Sequence, residues 1–261
     1  AYGTQENNKF PLKIRLKGLL SDHWQDDGLW SFKIKLKGDN TLFGMKRFEL
    51  QHPRTREYMN DWYFHKMSRY LGLITPRYGF TRVFLNGNKF PIYNFEESLD
   101  KRLIENNRRR EGPTFKLVGK KLLNGLPHEY DNISFNQENY FAKTDYGKSL
   151  LKRTERLIEG YKGGELSSSE VFDINLMAKA LAINDLFGGN HSIQRGNLAF
   201  YFNPLTGLIE PILFDNQFIG DSAEIGLIGE KINQDFKKPY YFLDRKKQNS
   251  SDSVEVRFGL I

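Results

Sequence analysis

The sequence contains no cysteine, and this absence removes several kinds of chemistry at once. It excludes disulfide bonds, a thiol nucleophile and metal sites built on thiolates. It does not point to a compartment, because a chain without cysteine suits oxidising and reducing surroundings equally. Apolar runs near the roughly 20 residues of a membrane-spanning helix are also lacking, and no charged-then-apolar signal segment opens the chain. The first residue is Ala1 rather than methionine, so we expect a processed protein or an excised domain.

The composition is that of a globular protein with a basic balance. Of 261 residues, 39% are hydrophobic and 27% are charged, enough to bury a substantial core in one large or two modest domains. The formal net charge of +7 favours anionic partners such as phosphorylated ligands, nucleic acid or anionic surfaces, without choosing among them. The densest basic run, residues 108–110, is interpreted as a solvated loop.

The first part of the chain has the alternation of β-strands. Residues 12–17 and 32–37 alternate apolar and basic side chains, which predicts strands with one apolar and one basic face. Asn86-Gly87, between two further strand patterns, is the strongest short signal for a β-hairpin. Apolar residues at helical spacing predict one helix over residues 56–71. The predicted strands are residues 12–17, 32–37, 43–50, 78–85 and 89–96.

The composition changes after residue 97, and longer helical patterns follow. A polar stretch over 119–140 has little periodicity, and residues 198–202 and 208–214 predict a second hairpin. We therefore expect an α+β fold with a strand-rich N-terminal lobe over 1–97 and a helix-rich C-terminal lobe over 98–261. The predicted helices of the second lobe are residues 99–104, 146–161 and 169–186, and its first strand is 114–118.

Two polar side chains near the end of this second part predict a metal site. Asn197 ends a polar loop and Asp215 follows the next apolar run, and such a pair of oxygen ligands is how phosphoryl-transfer enzymes hold Mg²⁺. The kinase pattern D-x-x-x-x-N places a catalytic carboxylate five residues before the asparagine, where this chain has Ser192. The alternative is that Asn197 and Asp215 only satisfy local turns.

An ordered set of segments resembles the CotH kinase family, the atypical kinase-like family of spore coat protein H. The set runs from about residue 12 to 220, and no single segment is specific by itself. Its parts are Ile14-Arg15-Leu16-Lys17-Gly18, Ser31-Phe32-Lys33-Ile34-Lys35-Leu36, Leu71-Gly72-Leu73, Val83-Phe84-Leu85-Asn86-Gly87, Phe95-Glu96-Glu97-Ser98-Leu99-Asp100-Lys101, residues 184–190, 197–202 and 210–218.

The resemblance implies an atypical two-lobed protein-kinase-like fold that binds ATP with Mg²⁺ or Mn²⁺ and phosphorylates Ser or Thr of proteins. Arg15 lies in its first strand segment, among the implied nucleotide-binding positions. Lys33 or Lys35 would contact the phosphates; both point to one face of a strand, so the sequence does not choose, and a solvated face is the alternative. Asp61 falls near the helix carboxylate that pairs with that lysine, with an exposed helix carboxylate as the alternative. Glu97 would meet the nucleotide or stabilise the segment between the lobes.

The departures from the family pattern concern the catalytic base. The family usually has Asp where Ser192 stands, and a neutral hydroxyl does not deprotonate an acceptor as a carboxylate does. His191 is adjacent and titrates near neutral pH, so it is a candidate replacement, although a loop histidine is often structural. Leu213 occupies a position at which the family tends to have a further acidic residue.

Three functions follow from these observations. The first is an active ATP-dependent phosphotransferase with metal on Asn197 and Asp215 and with His191 or Ser192 near the transferred phosphate. The second is a pseudokinase that binds a nucleotide or a protein partner without chemistry. The third, a nucleic-acid-binding domain, rests on charge alone and has no base-reading motif. The resemblance favours a cell-envelope or extracytoplasmic location, while the acceptor stays unidentified.

Overall fold

The computed structural model describes residues 2–5, 8–17, 29–118, 132–188, 191–192 and 197–216. Residues 18–28, most of the predicted polar stretch over 119–140 and the residues after 216 lie outside the described residues. The described chain has an α+β fold with antiparallel sheets and several helices. Searching these residues for a helix both long and apolar enough to cross a bilayer found none.

The strands are β1 (Tyr2–Gln5), β2 (Asn8–Leu16), β3 (Phe32–Leu36), β4 (Arg47–Gln51), β5 (Tyr78–Leu85), β6 (Asn88–Glu97), β7 (Thr114–Val118), β8 (Asn132–Phe135), β9 (Ala199–Phe202) and β10 (Ile209–Ile212). The α-helices are α1 (Asn60–Tyr70), α2 (Lys101–Asn106), α3 (Glu138–Phe141), α4 (Asp145–Gly163), α5 (Ser168–Val171) and α6 (Ile174–Leu186).

The first sheet contains six strands in the order β1-β2-β3-β4-β6-β5, with antiparallel neighbours. The predicted hairpin between β5 and β6 is confirmed, and its turn residues Asn86 and Gly87 have φ values of 52° and 81°. Positive φ at both positions is what a type I′ turn requires, which is why Asn-Gly suits it. The sheet carries α1 between β4 and β5, as the sequence predicts.

The alternation along β2 and β3 gives this sheet two chemically different faces. One face buries an apolar core that includes Phe32, Ile34 and Leu36. On the other face, the register places Lys13 opposite Lys35 in the neighbouring strand. The predicted separation of apolar and basic faces is therefore confirmed.

The second sheet has the order β10-β9-β7-β8, and helices cover one of its faces. The predicted hairpin of β9 and β10 is confirmed. The C-terminal part of the chain has more strand than the sequence predicts, since β8 forms within the polar stretch over 119–140, where α3 also begins. The core between this sheet and the helices is largely aromatic and aliphatic; its buried members are Phe115, Leu117, Phe141, Leu150, Leu151, Ile158, Tyr161, Val171, Phe172, Met177, Phe200, Phe202 and Ile209.

The helix predicted over 169–186 is in fact two helices, α5 and α6. The break falls at Phe172 and Asp173, which have extended backbone angles. The Asp173 carboxylate accepts a hydrogen bond from the Leu176 N–H at 3.0 Å and so begins a new helix as its N-cap. Phe172 meanwhile pairs with Ile209 and is fully buried. A capping aspartate and a core phenylalanine thus override the helical periodicity.

The segment after α1 joins the two sheets. Ile74 pairs with Ile212, and the Leu213 N–H donates to the Ile74 carbonyl at 2.9 Å. The Thr75 hydroxyl donates to the Leu213 carbonyl at 3.1 Å. These bonds place residues 213–216 beside α1.

Arg109 makes a second tie between distant parts of the chain. Its Nε lies 2.7 Å from Glu210 Oε2, and its Nη2 donates to the Gly72 carbonyl at 3.0 Å. The interpretation of residues 108–110 as a solvated loop is therefore wrong for Arg109, because a buried carboxylate on β10 holds its guanidinium.

His65 of α1 predicts a specific pH dependence of stability. It is buried, lies 2.5 Å from the Thr75 hydroxyl and stacks on Tyr78. Burial, together with the charges of Arg56 and Arg69, lowers the pKa of His65 to about 3. As pH falls from about 6.5 towards 3, the unfolded chain binds a proton that the folded chain does not, so the free energy of unfolding falls by about 1.4 kcal/mol per pH unit from this group.

We expect His65→Gln to remove this contribution, because glutamine does not titrate and still reaches Thr75. Urea unfolding of both proteins at several pH values between 3.5 and 7 measures it. The variant should lose stability less steeply with acid than the parent. If the free energy of unfolding depended on pH equally in both proteins, His65 would take up its proton in the folded protein as it does in the unfolded chain.

Candidate active site

Arg56 lies at the centre of a buried cluster of charged side chains. It ends the 3₁₀ turn Pro53–Arg56 that follows β4, and only 5% of its surface is exposed. Its guanidinium contacts three carboxylates from three elements. Nη2 lies 3.0 Å from Asp215 Oδ1, while Nε lies 3.5 Å from Asp61 Oδ2 and 3.9 Å from Glu96 Oε2. Arg56 therefore joins α1, β6 and the segment after β10.

Two left-handed residues allow Arg56 to point inwards. Glu57 and Tyr58 have φ values of 50° and 57°, and they reverse the chain between the 3₁₀ turn and α1. The reversal lets Asp61, in the first turn of α1, face the arginine that precedes it by five residues. The Arg56 Nη1 donates to the Thr55 carbonyl at 3.0 Å, which further fixes the side chain.

Asp61 is fully buried, which excludes the alternative of an exposed helix carboxylate. Its Oδ1 accepts a hydrogen bond from the Asn216 N–H at 3.0 Å, so α1 directly holds the residue that follows Asp215. The side chain of Asn216 is itself buried, and neither of its polar atoms has a hydrogen-bond partner in the described part of the chain. A buried amide of this kind is usually satisfied by a bound water, ion or ligand.

Asp215 has the left-handed backbone angle φ of 57°, which aspartate tolerates better than most residues. One carboxylate oxygen faces Arg56, and Oδ2 lies 3.3 Å from His191 Nε2. Burial raises the pKa of Asp215, but a hydrogen bond from His191 and the charge of Arg56 outweigh this and hold its pKa well below the ordinary value. Asp215 is therefore ionised at neutral pH.

His191 and Asn197 lie beside Asp215. The Asn197 Nδ2 lies 2.9 Å from His191 Nε2 and donates to the His191 carbonyl at 3.1 Å. His191 Nε2 accepts from this amide when it carries no proton and donates to Asp215 when it carries one, so its two contacts belong to different protonation states. The amide nitrogen of Asn197 faces His191, which leaves the amide oxygen as the atom that can bind a cation.

Ser192 points away from this group. Its hydroxyl donates to the Oδ1 of Asn184 in α6, and only 4% of the residue is exposed. This contact anchors the loop to the helix and turns the adjacent His191 towards Asp215. The structure thus brings together His191, Asn197, Asp215 and, through Arg56, Asp61, but it does not bring Ser192 to Asp215.

A chain of polar contacts leads from Glu96 along the basic face of the first sheet. The Gln51 amide donates to Glu96 Oε2 at 2.9 Å and accepts from Lys17 at 3.1 Å. Lys17 also pairs with Glu49, and Lys33 Nζ lies 3.2 Å from Glu49 Oε1. Of the two candidate lysines, Lys33 is thus connected to the buried cluster.

The remaining sequence-predicted residues lie elsewhere. Arg15 and Lys35 are exposed on the basic face, without a contact to the Arg56 cluster. Glu97 is buried on the other side of β6 from Glu96, where Arg77 binds it through its Nη2, its Nε at 2.9 Å and its backbone N–H at 3.1 Å. Glu97 therefore fixes the end of β6, the second of its two suggested roles.

The cluster holds more negative than positive charge. One guanidinium faces three carboxylates, so full ionisation leaves two excess negative charges in a buried space. Burial raises the pKa of Asp61 well above its ordinary value and also raises that of Glu96, and Arg56 opposes both shifts only in part. A divalent cation has the charge that matches this excess.

The oxygen atoms near Asp215 fit a metal that keeps several other ligands. Among the described residues, no group of three or more His, Asp or Glu side chains is arranged as a metal cage. Mg²⁺ does not need one, because it is usually held by one or two carboxylates together with phosphate oxygens and water. The Asp215 carboxylate, the Asn197 amide oxygen and the unsatisfied Asn216 amide are compatible with that mode.

The sequence around this site matches a known family model. The model described as CotH kinase protein matches residues 14–252. The chain belongs to the CotH kinase family. Among curated proteins, none is similar enough in sequence to match it. All the side chains of the Arg56 cluster, with His191 and Asn197, lie within the CotH kinase match, which indicates a kinase-like function.

Sequence reasoning missed the arginine at the centre of this CotH kinase site. Arg56 reads as one of several basic residues in a turn, and its three partners lie far apart along the chain. Glu96 had a local signal, because adjacent residues of a strand face opposite sides, so only one of Glu96 and Glu97 can face the basic side of the sheet. Lys17 lies two residues after Arg15, so the alternation of a strand predicts that both side chains lie on the basic face. It does not predict that Lys17 pairs with Glu49.

Proposed function

We propose that this CotH kinase family member is an ATP- and divalent-metal-dependent phosphotransferase that acts on protein Ser or Thr. The observation that carries the proposal is the ionised Asp215, held between Arg56 and His191 beside two further buried carboxyl groups, Asp61 and Glu96. We further propose a two-lobed kinase-like arrangement, with an N-terminal lobe over 1–97 and a C-terminal lobe over 98–261 and the nucleotide between them.

In this proposal, Arg56 takes over one of the two tasks of the kinase lysine, the ion pair with the following helix. Protein kinases pair a lysine on the third strand with a glutamate of the following helix. Counted from β2, the third strand is β4, whose residues on the basic face are Arg47, Glu49 and Gln51. Arg56 follows that strand and pairs with Asp61 of the next helix at 3.5 Å. The longer guanidinium and the shorter aspartate together form the expected ion pair.

Each of the other site residues has a defined task. Asp215 and Asn197 supply oxygen atoms to Mg²⁺ or Mn²⁺, which when bound neutralises charge on the phosphate groups. Lys33, connected through Glu49 to the cluster, is the lysine that faces the nucleotide phosphates. His191 Nε2 takes the proton of the acceptor hydroxyl, and the resulting imidazolium donates to Asp215. Asn184 holds Ser192 and thereby the orientation of His191.

His191→Gln tests the proposed base. We expect transfer of phosphate to slow about 10²-fold, because a positioned general base typically contributes at least that much. Binding of ATP with Mg²⁺ should change little, since Asp215 and Asn197 remain. Single-turnover transfer of labelled phosphate and ATP-dependent thermal stabilisation measure the two effects separately. Unchanged transfer in the variant would exclude His191 as the base.

The alternative function is that of a pseudokinase that binds a nucleotide or a protein without transfer. The residue at the usual base position favours it, because Ser192 carries no carboxylate. Its hydroxyl is also buried and bonded to Asn184. The parent protein decides between the two functions. Thermal stabilisation by ATP and Mg²⁺ without any transfer of label supports the pseudokinase, whereas transfer supports the enzyme.

A further inference from the structure

Three neighbouring strands place cations side by side on the basic face of the first sheet. The register aligns Lys13 of β2 with Lys35 of β3, and Lys35 with Arg47 of β4. All three side chains are exposed. Side chains directly opposite each other in a sheet lie about 5 Å apart, so like charges in this arrangement destabilise the fold.

The neighbouring row of the same face is built differently. It contains Arg15, Lys33 and Glu49, and the carboxylate of Glu49 pairs with Lys33 at 3.2 Å. The row of Lys13 has no such carboxylate. Cations on an edge strand discourage unwanted pairing, but β2, β3 and β4 are all interior strands of the sheet, so this does not explain the row. A ligand is a better explanation for the unbalanced row.

A cleft of about 780 Å³ opens next to this row, between the first sheet, α2 and α3. Five cations line it, with three carboxylates among them, so positive charge is in excess; the cations are Lys35, Lys46, Arg47, Lys101 and Arg102, and the carboxylates are Asp100, Glu105 and Glu138. Neither Lys35 nor Lys46 forms an ion pair with a carboxylate in the part of the chain that the structure describes. Asp100 is the N-cap of α2 through a 2.9 Å bond from the Arg102 N–H, and its carboxylate also interacts with the charges of Arg47 and Arg102, which it balances in part.

The opposite wall of the cleft provides amide and aromatic groups. Asn136, Gln137, Asn139 and Tyr140 line it together with one carboxylate, Glu138, and 47% of Tyr140 is exposed. An amide side chain both donates and accepts hydrogen bonds, as does a peptide backbone, whereas a phosphate group only accepts them. Cations on one wall and amides on the other therefore suit an acidic polypeptide better than an isolated phosphate.

The cleft is also poorly suited to the nucleotide itself. Lys35 lies two residues beyond Lys33 along β3, about 7 Å further from the Arg56 cluster. A neutral base gains little from several cations, and among the described residues Phe135 and Tyr140 are the aromatic side chains that line the cleft. In the proposed function, Lys33 and the metal held by Asp215 and Asn197 already face the phosphates.

We propose that the Lys13–Lys35–Arg47 row and the adjoining cleft form a docking site for an acidic polypeptide segment, which recruits the protein substrate away from the phosphate-transfer site. Calling the bound polypeptide a substrate rests on the proposed function, but binding itself requires no phosphate transfer.

Fluorescence anisotropy with a labelled peptide of alternating glutamate and alanine, without ATP, tests the docking site. We expect salt-sensitive binding that Lys35→Glu combined with Arg47→Glu weakens about tenfold or more. The matched control is Lys89→Glu combined with Lys152→Glu, two exposed cations outside the cleft with the same change in net charge. It should bind as the parent does, and so should Asp215→Asn.

Several results would overturn the docking site. These are no binding of the peptide, equal binding by both charge-reversed proteins, displacement of the peptide by ATP with Mg²⁺, or equally tight binding of single-stranded DNA with the same dependence on Lys35 and Arg47. Displacement would assign the cleft to the nucleotide, and DNA binding would revive the nucleic-acid function. Absence of phosphate transfer from the parent leaves the binding result readable, so the two proposals fail separately.

The thermal midpoint of the Lys35→Gln variant gives a second readout. Removing the central cation of the row relieves repulsion, so we expect a midpoint equal to or above that of the parent together with weaker peptide binding. A loss of binding that comes from misfolding would instead lower the midpoint. Lower stability with unchanged binding would show that Lys35 is structural and would also overturn the proposal.

Discussion

Asp215→Asn is expected to lower phosphate transfer about 10³-fold, the largest loss of activity for any single substitution in this protein. The aspartate supplies the one carboxylate near Asn197 that is both ionised at neutral pH and in contact with the loop of His191. Asparagine has nearly the same shape but no charge, so it binds a divalent cation far more weakly. ATP should then lose most of its metal-dependent stabilisation of the fold.

Transfer of labelled phosphate and ATP-induced thermal shifts, each with Mg²⁺ and with excess chelator, measure this prediction. Asp145→Asn is the matched control, because that side chain is fully exposed at the start of α4. It should behave as the parent in both assays. Transfer by Asp215→Asn within about tenfold of the parent would remove Asp215 from the proposed metal site and leave the kinase proposal without its main support.

Much of the fold can be predicted from the sequence because its local signals agree with its tertiary contacts. The alternation along β2 and β3, and the Asn86-Gly87 turn, each specify a structure that burial and hydrogen bonding then reinforce. The prediction fails where a single side chain overrides a longer pattern. Asp173 caps a new helix inside a helical periodicity, and Phe43 adopts φ of 51° in a turn where the pattern suggests a strand.

The site was only half predictable for a related reason. Asn197 and Asp215 follow strand patterns in a short stretch of chain, so their spacing carries the signal. Arg56 has no such signal, since its environment is set by contacts with positions up to 159 residues away, and nothing local marks a turn arginine as buried. The choice of Glu97 over Glu96 shows that a family pattern needs strand geometry to decide which of two neighbours faces the site.

Arg56→Met is expected to lower the free energy of unfolding by about 3–5 kcal/mol at pH 7.5, the largest loss of stability predicted here. Methionine fills the space of the arginine stem but leaves Asp61 and Glu96 buried without their cation. Arg56→Lys should lie between the parent and the methionine variant, because it keeps the charge but not the fork that reaches Asp61 and Asp215 together. Urea unfolding measures all three proteins.

The pH dependence separates a lost ion pair from a simple loss of packing. Burial already raises the pKa of Asp61 and Glu96, and without Arg56 these values rise further. Groups with a raised pKa in the fold contribute stability below their ordinary pKa of about 4, and that stability disappears as pH rises through the folded value. The deficit of Arg56→Met relative to the parent should therefore be smaller at pH 5 than at pH 8.

Combining Arg56→Met with Asp61→Asn completes the argument, because it removes one of the carboxylates that the arginine had matched. We expect the double variant to recover part of the lost stability at pH 8, while the exposed control Arg156→Met stays within about 0.5 kcal/mol of the parent. A deficit that is independent of pH and unchanged by Asp61→Asn would mean that Arg56 acts by packing alone. The cluster would then not hold the excess negative charge on which the proposed metal site depends.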